Sequence, residues 1–355
     1  MSNFGASGLG EDIDLTQDIG PMLCEELRIA MNTDEPEYYE QMERGYRWWP
    51  HRLCQRVEAR PPVMSHDVAM SRVDIETPIL ENVESTPPVL KAIAFINRNA
   101  DLSALLLDEH AGVVSLHASI GAHPQNLHVA AVLGKHAVAL QAAVAEIFRP
   151  RLGEMLGGDP IEPELPGGGH RQNGDPMLDV IDDLHVPIRD KVSVFIEHGE
   201  FARAESEVAP MVSLMTSAGE DGLTAEFRWG EGPSMPVIMR AIIRSTDGAD
   251  PTGPSTALFQ LMGKERHPRL GNGVLAKLSL PSHIEPEDGP KHANALNCWE
   301  RTQDVYGHQL GAWTCSDSTL THVTFASNFC WFPGAASVLM QNDAVRTLYM
   351  SGLMT

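Results

Sequence analysis

The order strand, turn, strand, proline, helix occurs twice in this chain, and any fold must accommodate both copies. Leu102 and Leu310 stand 310 − 102 = 208 positions apart, and at the same offset LHASIGAH, from Leu116, faces TFASNFCW, from Thr324, so that Ala118-Ser119 lies over Ala326-Ser327. A proline follows each strand pair, Pro124 or Pro333, and then AAVLGKHAVAL or AASVLMQNDAVRTL with apolar residues at helical spacing. The proline offset, 333 − 124 = 209, is one residue longer. A recurring order of elements is the signature of an internal repeat. It predicts an α+β protein of two similar domains, each an antiparallel sheet with flanking helices. Such a sheet exposes its second face unless something lies over it.

The length agrees, since 355 residues exceed the roughly 100 to 200 of one ordinary domain. Residues 1–20 are glycine-rich and acidic and read as a flexible tail, 21–149 as the first domain, 150–176 as a glycine- and proline-rich linker, and 177–355 as a second, divergent domain. Within the first, MLCEELRIAM and PEYYEQMERGYRWWPHRL both read as helices, the second with Tyr39, Met42, Tyr46, Trp49 and Leu53 at steps of three and four. Residues 55–76 read as two strands separated by PPVMSHD, Pro87 and Pro88 open a helix, residues 102–107 and 113–120 form a hairpin through DEHAG, and residues 124–148 form a long helix. In the second, DKVSVFIEHGEFARAESEVAPMVSLM reads as a broken helix, and AEFRWGEG, MPVIMRAIIRS and GVLAKLSLP as strands.

Charge narrows the partners. Lysine and arginine total 26 against 48 acidic residues, a formal net charge of -22, which repels phosphate backbones and anionic lipid surfaces. Nucleic acid is not an expected partner; the acidity serves solubility or steers a basic protein or peptide toward the chain. The five cysteines, Cys24, Cys54, Cys298, Cys315 and Cys330, show no CxxC and no close pairing, which suits a reducing cytoplasm. MSNFGASGLGEDIDL has acidic residues where a secretory signal has a basic segment and an apolar run, and no stretch is read as reaching the roughly 20 apolar residues of a membrane span. The expectation is a cytoplasmic protein without membrane insertion.

No catalytic, cofactor-binding or metal-ligating residues are assigned. His117, His123, His128 and His136 match neither HExxH nor a compact HxH with a carboxylate. The glycines around Gly167 and Gly271 fit no phosphate loop, and GxSxG is absent. Adjacent acids such as Asp182-Asp183 and Glu25-Glu26 point about 100° apart on a helix and cannot flank a bond. GKERHPRLGNG, with Lys264, Arg266, His267 and Arg269, is a local basic cluster that reads as a hairpin loop. The aromatics Tyr46, Trp48, Trp49 and Trp331 belong either to the core or to a peptide-binding surface, and an exposed Trp48 beside a buried Trp49 would mark the latter.

The segment VLKAIAFINRNADLSALLLDEHAGVVSLHASI resembles the central segment of the YbjN family, in which a helix with an asparagine-rich end leads into a strand hairpin and then a long helix. Here Ile96-Asn97-Arg98-Asn99 is the helix end and Asp108 to Gly112 the DxxxG-like turn. That family is similar in fold to the type III secretion chaperones. The resemblance covers residues 37–148, and the second half departs from it, with NALNCWERTQDVYG in place of the asparagine-rich end. It implies a non-catalytic, chaperone-like or adaptor module that holds a polypeptide client, uses no cofactor, and in tandem would look like a fused chaperone dimer. The alternative is an enzyme of unrecognised type using histidines and acids from both halves.

Overall fold

The computed structural model describes residues 14–32, 35–65, 67–171, 224–228, 237–243, 255–267, 271–280, 284–302, 309–316 and 318–327, together with 338, 339, 342, 343 and 346. It is a mixed α+β structure with two antiparallel sheets. The first half comprises α1 (Gly20–Ala30), β1 (Tyr39–Met42), β2 (Gly45–Trp48), β3 (Gln55–Ala59), β4 (Val63–Ser65), β5 (Val68–Glu81), α2 (Pro87–Asn97), β6 (Ala104–Asp108), β7 (Val113–Ala122), α3 (Leu127–Leu156) and β8 (Asp159–Pro160). The second has β9 (Thr224–Arg228), β10 (Val237–Ile243), β11 (Ser255–His267), β12 (Gly271–Leu280), α4 (Gly289–Thr302), β13 (Ala312–Ser316) and β14 (Thr319–Ser327). The first sheet runs β1-β2-β3-β5-β7-β6, with β4 and β8 also on β5; the second runs β9-β10-β11-β12-β14-β13. In each half the helix that precedes the last hairpin, α2 or α4, leads into the strand at the sheet's end.

Three sequence expectations are corrected. The aromatic stretch is a hairpin, β1 and β2, rather than a helix. Gly45 enforces this: a Cβ there would sit 2.1 Å from the Val57 carbonyl oxygen, so only glycine lets β2 lie against β3. Tyr46 and Trp48 then point inward and Arg47 outward, a period of two that the steps of three and four concealed. The long helix extends to Leu156 through Pro150, and β8 beyond it pairs with β5, so the start of the expected linker is structured. Residues 14–20 of the expected tail are also held, with Ala69 N–H on the Leu15 carbonyl at 2.7 Å and Asp18 paired with Arg44 at 2.6 Å. The broken helix expected after Asp190 lies outside the described residues.

The apolar side of the first sheet packs on α1 and α3. Val73, Ile75, Ala118 and Ile120 meet Ala130, Ala137, Val138 and Leu140 in a cluster that continues into the second half through Val274, Ala276, Leu278 and Trp313. α3 has the length and composition to cross a membrane, at a mean hydropathy of 1.4, although no such stretch was expected; 61% of that window is buried inside the protein. A buried amide, Gln141, ties the layers together by donating to the Ile75 carbonyl at 3.0 Å and accepting from Thr77 at 2.8 Å and Gln55 at 3.1 Å.

The halves meet where β6 and β13 end their sheets, around Ala100, Ala104 and Ala312. Buried Asn97 donates to the Leu105 carbonyl at 2.8 Å and accepts from its N–H at 3.0 Å. Asn297 holds Trp313 in the same way, at 3.1 and 2.8 Å, so NALNCWERTQDVYG keeps the clasp despite its different sequence. Asn294 reaches across to the first half and holds Leu107 by both groups at 2.9 Å. In return, Arg98 donates to the Cys315 carbonyl at 2.9 Å and Thr314 Oγ1 to the Ala94 carbonyl at 2.5 Å.

Pairing registers give the spacing of the two hairpins. Leu105 pairs with Leu116 and Trp313 with His322. The first strands are therefore offset by 313 − 105 = 208 and the second by 322 − 116 = 206, because the second hairpin is two residues shorter. Across the two halves, Ser119 N–H donates to Gln309 O and Phe325 N–H to Asp101 O, both at 3.1 Å.

Replacing Asn294 with alanine would orphan the Leu107 N–H in a buried interface and leave its C=O only the Cys298 Sγ contact at 3.3 Å, at about 1–3 kcal/mol for a group left unpaired. Asn294→Ala is expected to lower the unfolding free energy by about 1–3 kcal/mol in urea titration; a loss under about 0.5 kcal/mol would show that water or rearrangement replaces the clasp.

Candidate functional site: an arginine-lined cleft

Three guanidinium groups converge at the base of the β1–β2 hairpin. Arg52 comes from the turn after β2, Arg149 from the C-terminal half of α3, and Arg171 from the segment that follows β8; with Glu162 and His170 they line a cleft of about 280 Å³. Arg171 lies 4.0 Å above the Tyr38 ring and donates to the Trp49 carbonyl, which anchors this segment across the open end of the hairpin. Arg149 is buried and its Nη2 donates to Glu162 at 3.1 Å, while its Nε has no hydrogen-bond partner among the described residues. Arg52 is exposed, and among the described residues it makes no hydrogen bond.

Two further groups adjoin the cleft, His51 buried and Glu146 half-buried. Burial lowers His51 to a pKa of about 4, opposed by its bond to the Ala142 carbonyl and assisted by the fields of Arg171 and Arg149. Its Nε2 meets the Ala142 carbonyl at 2.6 Å and its Nδ1 accepts from Leu53 N–H at 3.0 Å, so the ring is neutral near pH 7 and its 3.6 Å approach to Glu146 is not an ion pair. Burial also raises the pKa of Glu146, against the attraction of Arg149 and Arg52. The cleft therefore presents three guanidinium groups against Glu162, with Glu146 beside them, in a chain whose formal charge is -22.

The residues singled out in the sequence lie elsewhere. Tyr46, Trp48 and Trp49 are 1%, 5% and 4% exposed, and Trp48 Nε1 donates to Gln55 Oε1 at 2.7 Å. Of the two readings of these aromatics, core or peptide-binding surface, Trp48 takes the first, because β2 alternation turns it into the core. Trp331 lies outside the described residues. The four histidines are dispersed: His117 sits in β7 at 3.5 Å from Asp74, His123 follows β7, and His128 and His136 ride on α3. Among the described residues no group of three or more histidines, cysteines and acids is placed to hold a metal. Lys264 and Arg266 fall within β11 rather than in a loop, and His267 is buried with Nε2 at 2.9 Å from the Asn99 carbonyl.

Two further polar clusters are internal. On the second face of the first sheet, Arg72 donates to the α4 carbonyls of Glu300 at 3.1 Å and Arg301 at 3.0 Å, and Arg301 pairs with Glu76 at 2.7 Å. Asp74 is held far below the usual carboxylate range, against its burial, by His117, Arg72 and Arg60. In the second half, Arg346 pairs with Glu300 at 3.0 Å and Asp343 at 2.8 Å, and Asp343 lies 3.4 Å from His322, which is fully buried and has its pKa lowered by burial and by Arg346. The three histidine–acid pairs, His51–Glu146, His117–Asp74 and His322–Asp343, occupy separate places. Burial pushes the thiols of Cys24 and Cys54 up to about 12 and that of Cys298 to about 11, so they are not thiolates near pH 7.

No family model matches the chain, and no curated protein or solved structure matches it significantly.

The cleft arginines were missed because Arg52, Arg149 and Arg171 are far apart in sequence and belong to no motif. Arg171 closes the only part of GGGHR that carries charge, a faint signal in a run read as linker.

His51 makes the region pH-sensitive with a definite sign. Its folded pKa of about 4 lies below the ordinary 6.5, so its contribution is complete above about pH 6.5 and is lost as pH falls toward 4. Glu146, shifted upward, acts in the opposite sense. Between about pH 7 and pH 5 the His51 contribution should fall by about 2 kcal/mol. In urea titrations, His51→Gln is expected to reduce the acid destabilisation by that amount; an equal acid response in variant and wild type would remove His51 as its source.

Proposed function

We propose that the chain is a non-catalytic polypeptide-binding module, chaperone-like or adaptor in type, built from two copies of one α+β unit. The duplicated reading is supported by the shared strand order of the two sheets, by the matched clasps of Asn97 and Asn297, and by the reciprocal bonds of Ser119 and Phe325. Each copy uses its helix, α2 or α4, to reach the other copy's edge strand, the arrangement expected of a chaperone dimer fused into one chain.

The observation that carries the binding reading is the unequal treatment of the sheet edges. The β6 and β13 edges are turned against each other and capped by Asn294 and Arg98, whereas β1 and β9 stand at the far ends of the two sheets. A strand at the end of a sheet can offer its outward N–H and C=O groups to an extended peptide. On β1, the bond from Trp49 N–H to the Tyr38 carbonyl sets the alternation, which turns the main-chain groups of Tyr39 and Gln41 away from β2. The high negative charge selects basic extended segments at long range.

Affinity capture of the tagged chain from its native extract, followed by mapping of the bound segment, tests this. A reproducible polypeptide whose retention falls at least about tenfold with Gln41→Pro but not with Gln41→Ala, at unchanged circular dichroism, is the expected result, since both variants lose the Gln41 side-chain bonds to the Met42 and Gly45 carbonyls and only proline removes the outward main-chain donor. Capture that is empty, or indifferent to Gln41→Pro and to a matching proline in β9, would end the strand-addition reading.

A further inference from the structure

We propose that the cleft formed by Arg52, Arg149 and Arg171 is a binding site for a dianionic phosphoryl group. This stands apart from peptide capture at the β1 edge and rests on charge, geometry and size. The lining carries three guanidinium groups and one carboxylate, Glu162, so cations outnumber acids in it, which favours a doubly charged anion over a single carboxylate.

The donors are of the right kind and are available. A guanidinium presents N–H groups in a planar fork that matches two oxygens of one phosphoryl group. Arg149 is buried in the wall of the cleft with Nε unpartnered among the described residues, and a buried unpaired cationic donor is costly unless a ligand or water meets it. Arg171 is fixed in direction by the Tyr38 ring and the Trp49 carbonyl, so binding does not have to order it. Arg52 is the exposed member and can close over a ligand from the solvent side.

Glu162 shows how the site behaves without a ligand. Its side chain is 65% exposed, yet it reaches Arg149 Nη2 at 3.1 Å, where an incoming oxyanion would bind. It is thus a weak internal stand-in, held by one contact and easily displaced. The cavity of about 280 Å³ falls just under the range of roughly 300–1,000 Å³ that holds whole drug-sized ligands, which suits a single anionic group and its immediate attachment. The net charge of -22 does not forbid this, because charges beyond a Debye length of about 8 Å are screened while the three arginines are in direct contact.

The probe is inorganic phosphate, titrated into the full chain near pH 7.5 by calorimetry with chloride matched for ionic strength. Saturable one-to-one binding is expected, weakened about tenfold or more by Arg52→Ala and by Arg171→Ala, tightened by Glu162→Gln, and unaffected by Arg47→Ala, an exposed residue of β2 outside the cleft. No saturable binding, or binding that survives both arginine substitutions unchanged, overturns the proposal. A phosphoserine peptide that binds at least about tenfold tighter than both phosphate and its unphosphorylated form assigns the group to a polypeptide, and equal affinity for phosphate and phosphopeptide assigns it to a free small anion. Because Gln41→Pro does not alter the cleft, loss of peptide capture in that variant with phosphate binding intact separates the two readings.

Discussion

A side-chain amide that closes on both main-chain groups of one residue is the interaction on which the arrangement depends. Asn97 and Asn297 each hold the first strand of the hairpin that follows their own helix, at Leu105 and Trp313, and Asn294 does the same to Leu107 across the interface. A strand at the end of a sheet would otherwise present bare donors and acceptors that are costly to bury. Helices α2 and α4 supply the missing partners, so β6 and β13 can lie inside the molecule. Without those amides the interface would need water or a further strand.

The same helices solve the second problem of an antiparallel sheet, its other face. The last turn of α4 lies over the outer side of the first sheet, with its free carbonyls taken by Arg72 and Arg60 and its Arg301 paired to Glu76. Helix ends leave carbonyls unsatisfied, and cations there also suit the negative end of the dipole. Charged side chains on β5 are therefore not a solvated surface. Their desolvation is offset by several simultaneous contacts, and breaking one partner would leave its neighbours buried and uncompensated.

Function-bearing features divide along the same line. Tyr46, Trp48 and Trp49 attract attention in the sequence because aromatics dominate binding surfaces, yet they are core residues of a small hairpin. Arg52, Arg149 and Arg171 attract none, since arginines in an acidic chain read as solvated singletons. Only the path of α3 past Pro150, and the return of the chain across Tyr38, bring them to one cleft. Period, turn residues and prolines report local geometry, whereas convergence of distant charges is invisible to any window.

The sequence by itself determined the α+β class, the hairpin through DEHAG, helices α2 and α3, and three strands of the second half, because apolar periodicity and turn chemistry act over a few residues. It also carried the helix-then-hairpin order seen in both halves, although not the two-residue difference in length between the hairpins. Tertiary structure decided that PEYYEQMERGYRWW is a hairpin, because the close approach of Gly45 to Val57 excludes any side chain there. It decided too which faces and edges are covered, since Asn294, Arg72 and Arg98 find their partners about 190 to 230 positions away, a separation that only packing can close.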